Sequence, residues 1–356
     1  MFLKQIRLTN FRNYSNLSLE FDQRPAILVG NNAVGKSNLL EAVYLLSTTK
    51  SGRVDSEREL IKQGESFTRV EGGLEVEGGI EGLEVVIQFV DEKLSKRVKV
   101  NGVPRRVTDF IGNLPAVIFN PSDINMVTGA PALRRWHLDL ALAQVDTSYK
   151  KALTLYEQVL TNRNRVLKRI REREGRVDEL TYWTGELIKY GEVVSGGRKA
   201  FLESMNNFQS PLGSFNFEYL QNELSRERLD EYSGREIAAA ATLIGPHRDD
   251  FMVAIMEGSK GRDLAHYGSR GEQRTATLAF KLAQLEYMAL TLGVRPLLLL
   301  DDVFSELDVL HRAHVVEVVG RQQTIIATVE LEGIPQKFLD EARILRVDNG
   351  VIYESS

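Results

Sequence analysis

Apolar and polar positions alternate with period two at the start of the chain, where IRLTNF, LSLEF and AILVG read as three short strands within the first 30 residues. The period then lengthens, and SNLLEAVYLLS spaces its apolar residues as a helix does. Between about residues 68 and 103 the strand pattern returns in LEVVIQFV and RVKV, with NGV as a tight-turn signal, which predicts an antiparallel β layer. AVIFN (116–120) reads as a further strand. PALRRWHLDLALAQ reads as a helix opened by Pro131, whose fixed φ suits a first helical position.

Residues 145–205 change character. Tyr149, Leu153, Tyr156, Leu160, Leu167 and Ile170 recur at helical intervals, and after Gly175 a second series runs through Leu180, Trp183, Leu187 and Tyr190. Two long helices joined by a short glycine-containing turn make an αα-hairpin. Beyond Pro211 come FNFEYL, FMVAI (251–255), LLLL (297–300) and TIIAT (324–328), and VDNGV (347–351) marks a closing hairpin. Strand-type sequence flanks a helical insertion, which predicts an α/β fold with one sheet assembled from both ends of the chain.

The chain has 356 residues, 43% of them hydrophobic, enough for two or more packed units. No apolar run approaches the roughly 20 residues a membrane helix needs. The N-terminus alternates instead of presenting a charged start and an apolar core, so the expected compartment is the cytoplasm. Absence of cysteine removes disulfides, thiolate chemistry and Cys-based zinc sites. A net charge of −4 argues only weakly against nucleic-acid binding, because the positive residues are clustered.

GNNAVGKSN spans Gly30, Asn31, Asn32, Ala33, Val34, Gly35, Lys36, Ser37 and Asn38 and fits the phosphate-loop pattern G-x-x-x-x-G-K-[ST] between a strand and a helix. The glycines let backbone wrap phosphates, Lys36 supplies a point charge to the β/γ oxygens, and Ser37 offers a hydroxyl to Mg²⁺. LLLLDDVFSELD (297–308) is its natural partner. Four leucines predict a buried strand with Asp301 and Asp302 at its carboxyl end, where open α/β sheets bind ligands. Asp301 is suited to the metal and Asp302 to orienting a water against the γ-phosphate. A second helix mouth occurs at YGSRGEQRT (267–275), with Ser269, Arg270, Gly271, Glu272 and Gln273 before another apolar helix. Since a phosphate loop already encloses one side of its nucleotide, this mouth is expected to grip a nucleotide held by another subunit.

The order of these motifs resembles that of the ATP-binding cassette superfamily. Within it, the chain is similar to the RecF family of bacterial recombination mediators, related to the SMC and Rad50 heads. The resemblance rests on LTNFRNY (8–14), GNNAVGKSNLLEAVYLLS (30–47), FNPSDINMVTGAPALRRWHLDL (119–140), GPHRDDF (245–251), GSRGEQRT (268–275) and LLLDDVFSELD (298–308). It implies a discontinuous cassette head from 1–125 and 240–356, with a mixed sheet and an antiparallel β layer, and an inserted helical arm at 126–239. It implies Lys36 and Ser37 on ATP and Mg²⁺, Asp301 as metal carboxylate and Asp302 as catalytic carboxylate. Ser269, Gly271 and Gln273 would reach a partner's ATP in a head-to-tail homodimer, with Asp308 at the dimer seam. RecR is the implied protein partner, with recombinase loading at single-strand gaps.

Several positions depart from the wider cassette pattern. Arg270 stands where transporters carry glycine, and the loop after AVIFN offers Asn120, Ser122 and Asp123 but no glutamine. Thr328 stands where a switch histidine would be, and Asp302 is one methylene shorter than glutamate. Each change weakens water activation, so a slow Mg-dependent ATPase is expected. His247 in GPHRDD reads as a satisfied histidine or a positioned loop residue, His137 as packing or surface, and Arg12 as a residue that approaches the phosphates. The run NRNRVLKRIRERE (162–174) reads either as a solvated helix face or, through Arg163, Arg165, Lys168 and Arg169, as a track for a DNA backbone. The competing classes are a transporter ATPase subunit, disfavoured by the long helical insertion and non-glycine signature, and a coiled-coil repair ATPase, disfavoured by the lack of extended heptads. A small-molecule kinase is disfavoured by the second helix mouth.

Overall fold

The computed structural model describes residues 1–90, 93–306 and 309–354. They fall into two compact units, Met1–Asp123 with Gln284–Ser356, and Ile124–Ala283.

The first unit holds two sheets. One is antiparallel, in the order β2-β1-β4-β5-β6-β7, built from β1 (Phe2–Phe11), β2 (Tyr14–Glu20), β4 (Phe67–Val76), β5 (Gly79–Val90), β6 (Lys93–Val100) and β7 (Val103–Arg105). The other has the order β15-β14-β3-β13-β12-β8. Its parallel strands are β3 (Ala26–Val29), β8 (Ala116–Phe119), β12 (Leu297–Asp301), β13 (Thr324–Thr328) and β14 (Arg343–Asp348), and β15 (Val351–Glu354) is antiparallel. Both ends of the chain supply this sheet, as the alternation predicts. The two NG turns close hairpins with φ of 52° and 75° at Asn101 and Gly102, and 46° and 80° at Asn349 and Gly350. Positive φ at both central residues matches the right-handed twist of the flanking strands.

Helix α1 (Lys36–Thr48) packs against strands of both sheets, which is why SNLLEAVYLLS is apolar on almost every side. Leu46 rests on Gly72 of β4, where a Cβ would lie 2.7 Å from its Cδ1. In the parallel sheet Asp301 pairs with Ala327, and Ala327 with Leu28. The strand ending in two aspartates and the strand ending in the phosphate loop therefore open at the same sheet edge.

The second unit contains α2 (Pro131–Val145), the hairpin of α3 (Thr147–Arg171) and α4 (Leu180–Asn206), α5 (Arg226–Ala239) and the start of α6 (Arg270–Leu292). It also contains a separate sheet, β11-β10-β9, of β9 (Phe215–Leu220), β10 (Asp250–Glu257) and β11 (Lys260–Asp263). Phe280 of α6 centres its core, with ring centroids 5.2 Å from Phe217, 5.6 Å from Phe251 and 6.4 Å from Phe201. Residues 240–283 thus pack in this unit, whereas the family resemblance implies that they belong to the head. The physical reason is strand partnership: FMVAI pairs with FNFEYL and does not join the parallel sheet. No helix among the described residues is long and apolar enough to cross a membrane.

Candidate nucleotide-binding site

The loop from Gly30 to Gly35 leaves β3 and enters α1 with Ala33 at φ 65° and Gly35 at φ 121°. Gly35 is required twice over. Its φ is one that L side chains avoid, and a Cβ there would stand 2.6 Å from Asn13 Nδ2 and 2.8 Å from Tyr14 Oη. No side chain caps the N-terminus of α1 and no acidic residue lies in its first turn, so its N–H groups face the loop unclaimed by side chains. Lys36 Nζ donates to the carbonyls of Gly30 (2.7 Å) and Asn31 (2.8 Å). An ammonium has three donors, and a third is left for a phosphate oxygen. Burial pushes the Lys36 ammonium down, opposed by the charges of Asp302 and Asp301.

Ser37 Oγ donates to Asp301 Oδ1 at 2.7 Å, across 264 residues of sequence. Burial pushes the Asp301 carboxyl up, while the Ser37 hydrogen bond and the Arg53 guanidinium pull it down. Asp302 takes φ 52° and donates its N–H to Ala327 O at 2.8 Å, which turns the backbone out of the strand directly after Asp301. Lys36, Ser37, Asp301, Asp302, Asn120 and Arg53 line one cleft of about 370 Å³. Among the described residues no cluster of three or more His, Cys, Asp or Glu could cage a metal. The donors present still fit Mg²⁺, which keeps waters and takes one or two protein oxygens beside substrate phosphates. Asn120 Oδ1 adds a buried acceptor in the cleft wall, with no hydrogen-bond partner among the described residues. Thr328 is buried and donates its hydroxyl to Glu330 O at 2.9 Å.

LTNFRNY braces the loop from outside. Asn13 Nδ2 donates to Val34 O (3.0 Å), Tyr14 Oη to Gly35 O (3.0 Å), and Asn38 Nδ2 to Asn13 Oδ1 (2.8 Å). Arg12 differs from its expectation. Its fork closes on buried Glu41, with Nε to Oε2 and Nη2 to Oε1 both at 2.9 Å, so it points at α1 instead of at phosphates. The arginine that faces the cleft is Arg53, on the segment after α1, and no motif in the sequence marks it.

The second mouth is finished differently. Ser269 N donates to Glu272 Oε2 at 2.7 Å and Glu272 N donates to Ser269 Oγ at 3.2 Å, a reciprocal capping box. Arg262 holds Glu272 at 2.7 Å, and these bonds keep its carboxyl down at about 2. Ser269, Arg270 and Gly271 are exposed. Gln273 does not project: it is buried, donating to Leu264 O (2.8 Å) and Gly268 O (3.2 Å), and so props the loop from below. Asp308 lies outside the described residues.

His247 of GPHRDD bonds Thr242 O through Nε2 (3.0 Å) and Tyr156 Oη through Nδ1 (2.7 Å). A carbonyl only accepts, so Nε2 carries the proton, and burial pushes the pKa down toward this neutral form. The satisfied-histidine reading holds. Asp249 accepts from Ser195 Oγ (3.0 Å) and Asn222 N (2.6 Å), and Asp250 from Arg134 (2.6 and 2.8 Å), so this motif knits the second unit.

Arg163 is removed from the DNA candidates. It is 2% exposed and bonds Glu236 (2.6 Å), Thr242 (2.8 Å) and Thr184 (3.3 Å). A buried guanidinium bonded through all three of its nitrogens has no face for a phosphate. Arg165, Lys168 and Arg169 are exposed, with Arg169 paired to Glu179 at 2.8 Å. His137 is buried against Trp136.

The family model described as RecF/RecN/SMC N terminal domain matches residues 2–350. Relatives named DNA replication and repair protein RecF are 33% identical in Bacillus velezensis and 36% in Herpetosiphon aurantiacus, each covering 99% of this chain and 100% of the relative. A solved structure of the recombination mediator protein RecF with ATP, of the RecFOR pathway, matches with TM-score 0.88 at 30% identity, over 100% of this chain and 98% of that one. The Smc head domain of Pyrococcus furiosus, at 15% identity, TM-score 0.54 and coverage of 100% and 96%, is alike in fold alone. With motifs, architecture and whole-length similarity in agreement, the chain belongs to the RecF family.

Proposed function

We propose that this chain is an ATP-dependent DNA-binding protein of recombinational repair, acting in the cytoplasm, whose hold on DNA is set by ATP-driven head-to-tail dimerisation and slow hydrolysis. The observation that carries the reading is the Ser37–Asp301 hydrogen bond of 2.7 Å beneath a helix mouth that no side chain caps. Lys36, Gly35 and the loop backbone bind and orient the phosphates. Ser37 and Asp301 are the protein oxygens that would hold Mg²⁺, which when bound neutralises charge on the β- and γ-phosphates. Asp302 orients the attacking water, Arg53 adds a second cation at the cleft, and Ser269 with Gly271 meets the partner's ATP. Ser269 Oγ accepts from Glu272 N, and its hydroxyl proton remains free for a phosphate. Arg165, Lys168 and Arg169 are the DNA-backbone candidates on α3. The RecFOR pathway named for a matching solved structure supports RecR as partner, and the family resemblance implies loading of recombinase at single-strand gaps.

Sedimentation with and without ATP tests the reading on wild type and Lys36→Met. Wild type should dimerise on ATP while Lys36→Met stays monomeric, and a mixture of Lys36→Met with Ser269→Arg should regain part of the activity that neither has alone. Equal ATP affinity in Lys36→Met and wild type would remove the phosphate-loop assignment.

A further inference from the structure

We infer that Glu41 is a positioning residue shared by two arginines, and that Arg12, by occupying it, leaves Arg53 available to the nucleotide's phosphates. The inference rests on the phosphate loop being the ATP site and concerns how that site is tuned. Glu41 lies one turn beyond Ser37 on the same face of α1 and is 3% exposed. Its carboxylate receives the two-pronged Arg12 fork and the Ser51 hydroxyl. Arg53 Nη1 stands 3.6 Å from Oε2, near enough for attraction and too far for a hydrogen bond.

The two arginines are held very differently. Arg12 is fixed at a strained φ of 52°, its N–H bonded to Leu60 O (2.9 Å) and Nη1 to Glu59 O (3.1 Å). Among the described residues Arg53 is hydrogen-bonded through its backbone, N–H to Ser51 Oγ at 3.1 Å, and about a third of its side chain is exposed at the cleft. A carboxylate offers about four lone-pair sites, and Arg12 with Ser51 takes three. The arrangement keeps Arg53 drawn toward α1 without capturing it. Removing Arg12 vacates two acceptor sites on a buried charge, and Arg53 closes on them and leaves the cleft. Arg12 then governs ATP affinity without touching a phosphate.

The test is equilibrium ATP binding by the full chain, with thermal melts to verify folding. Arg12→Ala and Arg53→Gln should each weaken binding about tenfold, the worth of one charge-assisted contact. The double variant Arg12→Ala with Arg53→Gln should bind no more weakly than Arg53→Gln alone. Arg12→Ala with Glu41→Gln should recover near wild-type affinity, since Arg53 has nothing left to close on. Should Arg12→Ala not fold, Arg12→Lys, which keeps the charge and loses the fork, takes its place with the same pattern at smaller size. Additive losses in the first double variant, or no recovery in the second, overturn the inference. Wild-type affinity in Lys36→Met would instead sink the ATP-site reading, so the two failures are distinguishable.

Discussion

At the mouth of α1 no side chain caps the helix and its first turn carries no acid, whereas at the mouth of α6 Ser269 and Glu272 bond each other's N–H groups. Both are glycine-bearing helix starts after a loop. One is left open for an anion from outside, and the other carries its own. The difference extends to charge. Burial pushes Asp301 up, so its ionised form costs the fold, a cost absent at low pH that grows as pH rises through the carboxylate range. Glu272 is held down, so its ionised form stabilises the mouth at neutral pH. The first mouth keeps its helix N–H groups uncapped by side chains, and the second is closed by its own residues.

The largest test is Asp302→Asn. Asparagine tolerates positive φ, so the backbone turn at 52° persists and nucleotide binding should be unchanged. Hydrolysis, followed by phosphate release, should fall about 100-fold, as expected for losing a positioned base. Wild-type turnover would exclude Asp302 as the water-orienting carboxylate.

A paired substitution separates the two mouths next. Gly35→Ala forces a strained φ and displaces Asn13 and Tyr14, and should weaken ATP binding roughly 30-fold, about 2 kcal/mol of backbone strain. Gly271→Ala should leave monomer binding and melting almost untouched, because its Cβ would meet only Ser269 Oγ at 4.0 Å. Equal losses in the two variants would erase the distinction.

Smaller is Ser269→Ala, which removes one half of the capping box and should cost about 1 kcal/mol in chemical denaturation. No shift would mean that the box contributes nothing in solution. The smallest effect concerns pH. Glu272→Gln preserves the cap and removes the charge. Its stability deficit against wild type should be constant down to about pH 4.5 and close as pH falls toward about 2, the range between the ordinary and held-down values. A deficit that does not vary with pH would show that Glu272 is not held down by Arg262 and Ser269 in the folded chain.

Strands, the phosphate loop and the carboxylate pair were legible because each is local: alternation, glycine spacing and a four-leucine run are visible within a dozen residues. The allegiance of FMVAI was not, since a strand of its composition fits either sheet and the choice is made by FNFEYL some 30 residues earlier. Arg163 read as a basic surface residue because Thr184, Glu236 and Thr242, which bury it, lie 21, 73 and 79 residues away. SRGE fits S-x-x-E, the capping-box signature, and its glycine equally fits a phosphate mouth, so the four residues alone do not separate the two. Arg53 had no motif at all. Only the packing of α1 brings its segment to the cleft.

The phosphate loop sits on a floor made much later in the sequence. β3 lies between β13 and β14, Gly350 N–H bonds Val34 O at 3.1 Å, and a Cβ on Gly30 would strike Val347 O at 2.4 Å. On a translating ribosome the loop emerges among the first 40 residues, and its neighbours follow about 300 residues afterwards. At about 5–20 residues per second that is roughly 15 to 60 s in which β3 has no partner strands. The strand frame of the phosphate loop therefore stays incomplete until β14 has been made. A chain broken off before Arg343 is left with its phosphate-loop strand as an open, apolar sheet edge, a form suited to capture by chaperones or proteases rather than to nucleotide.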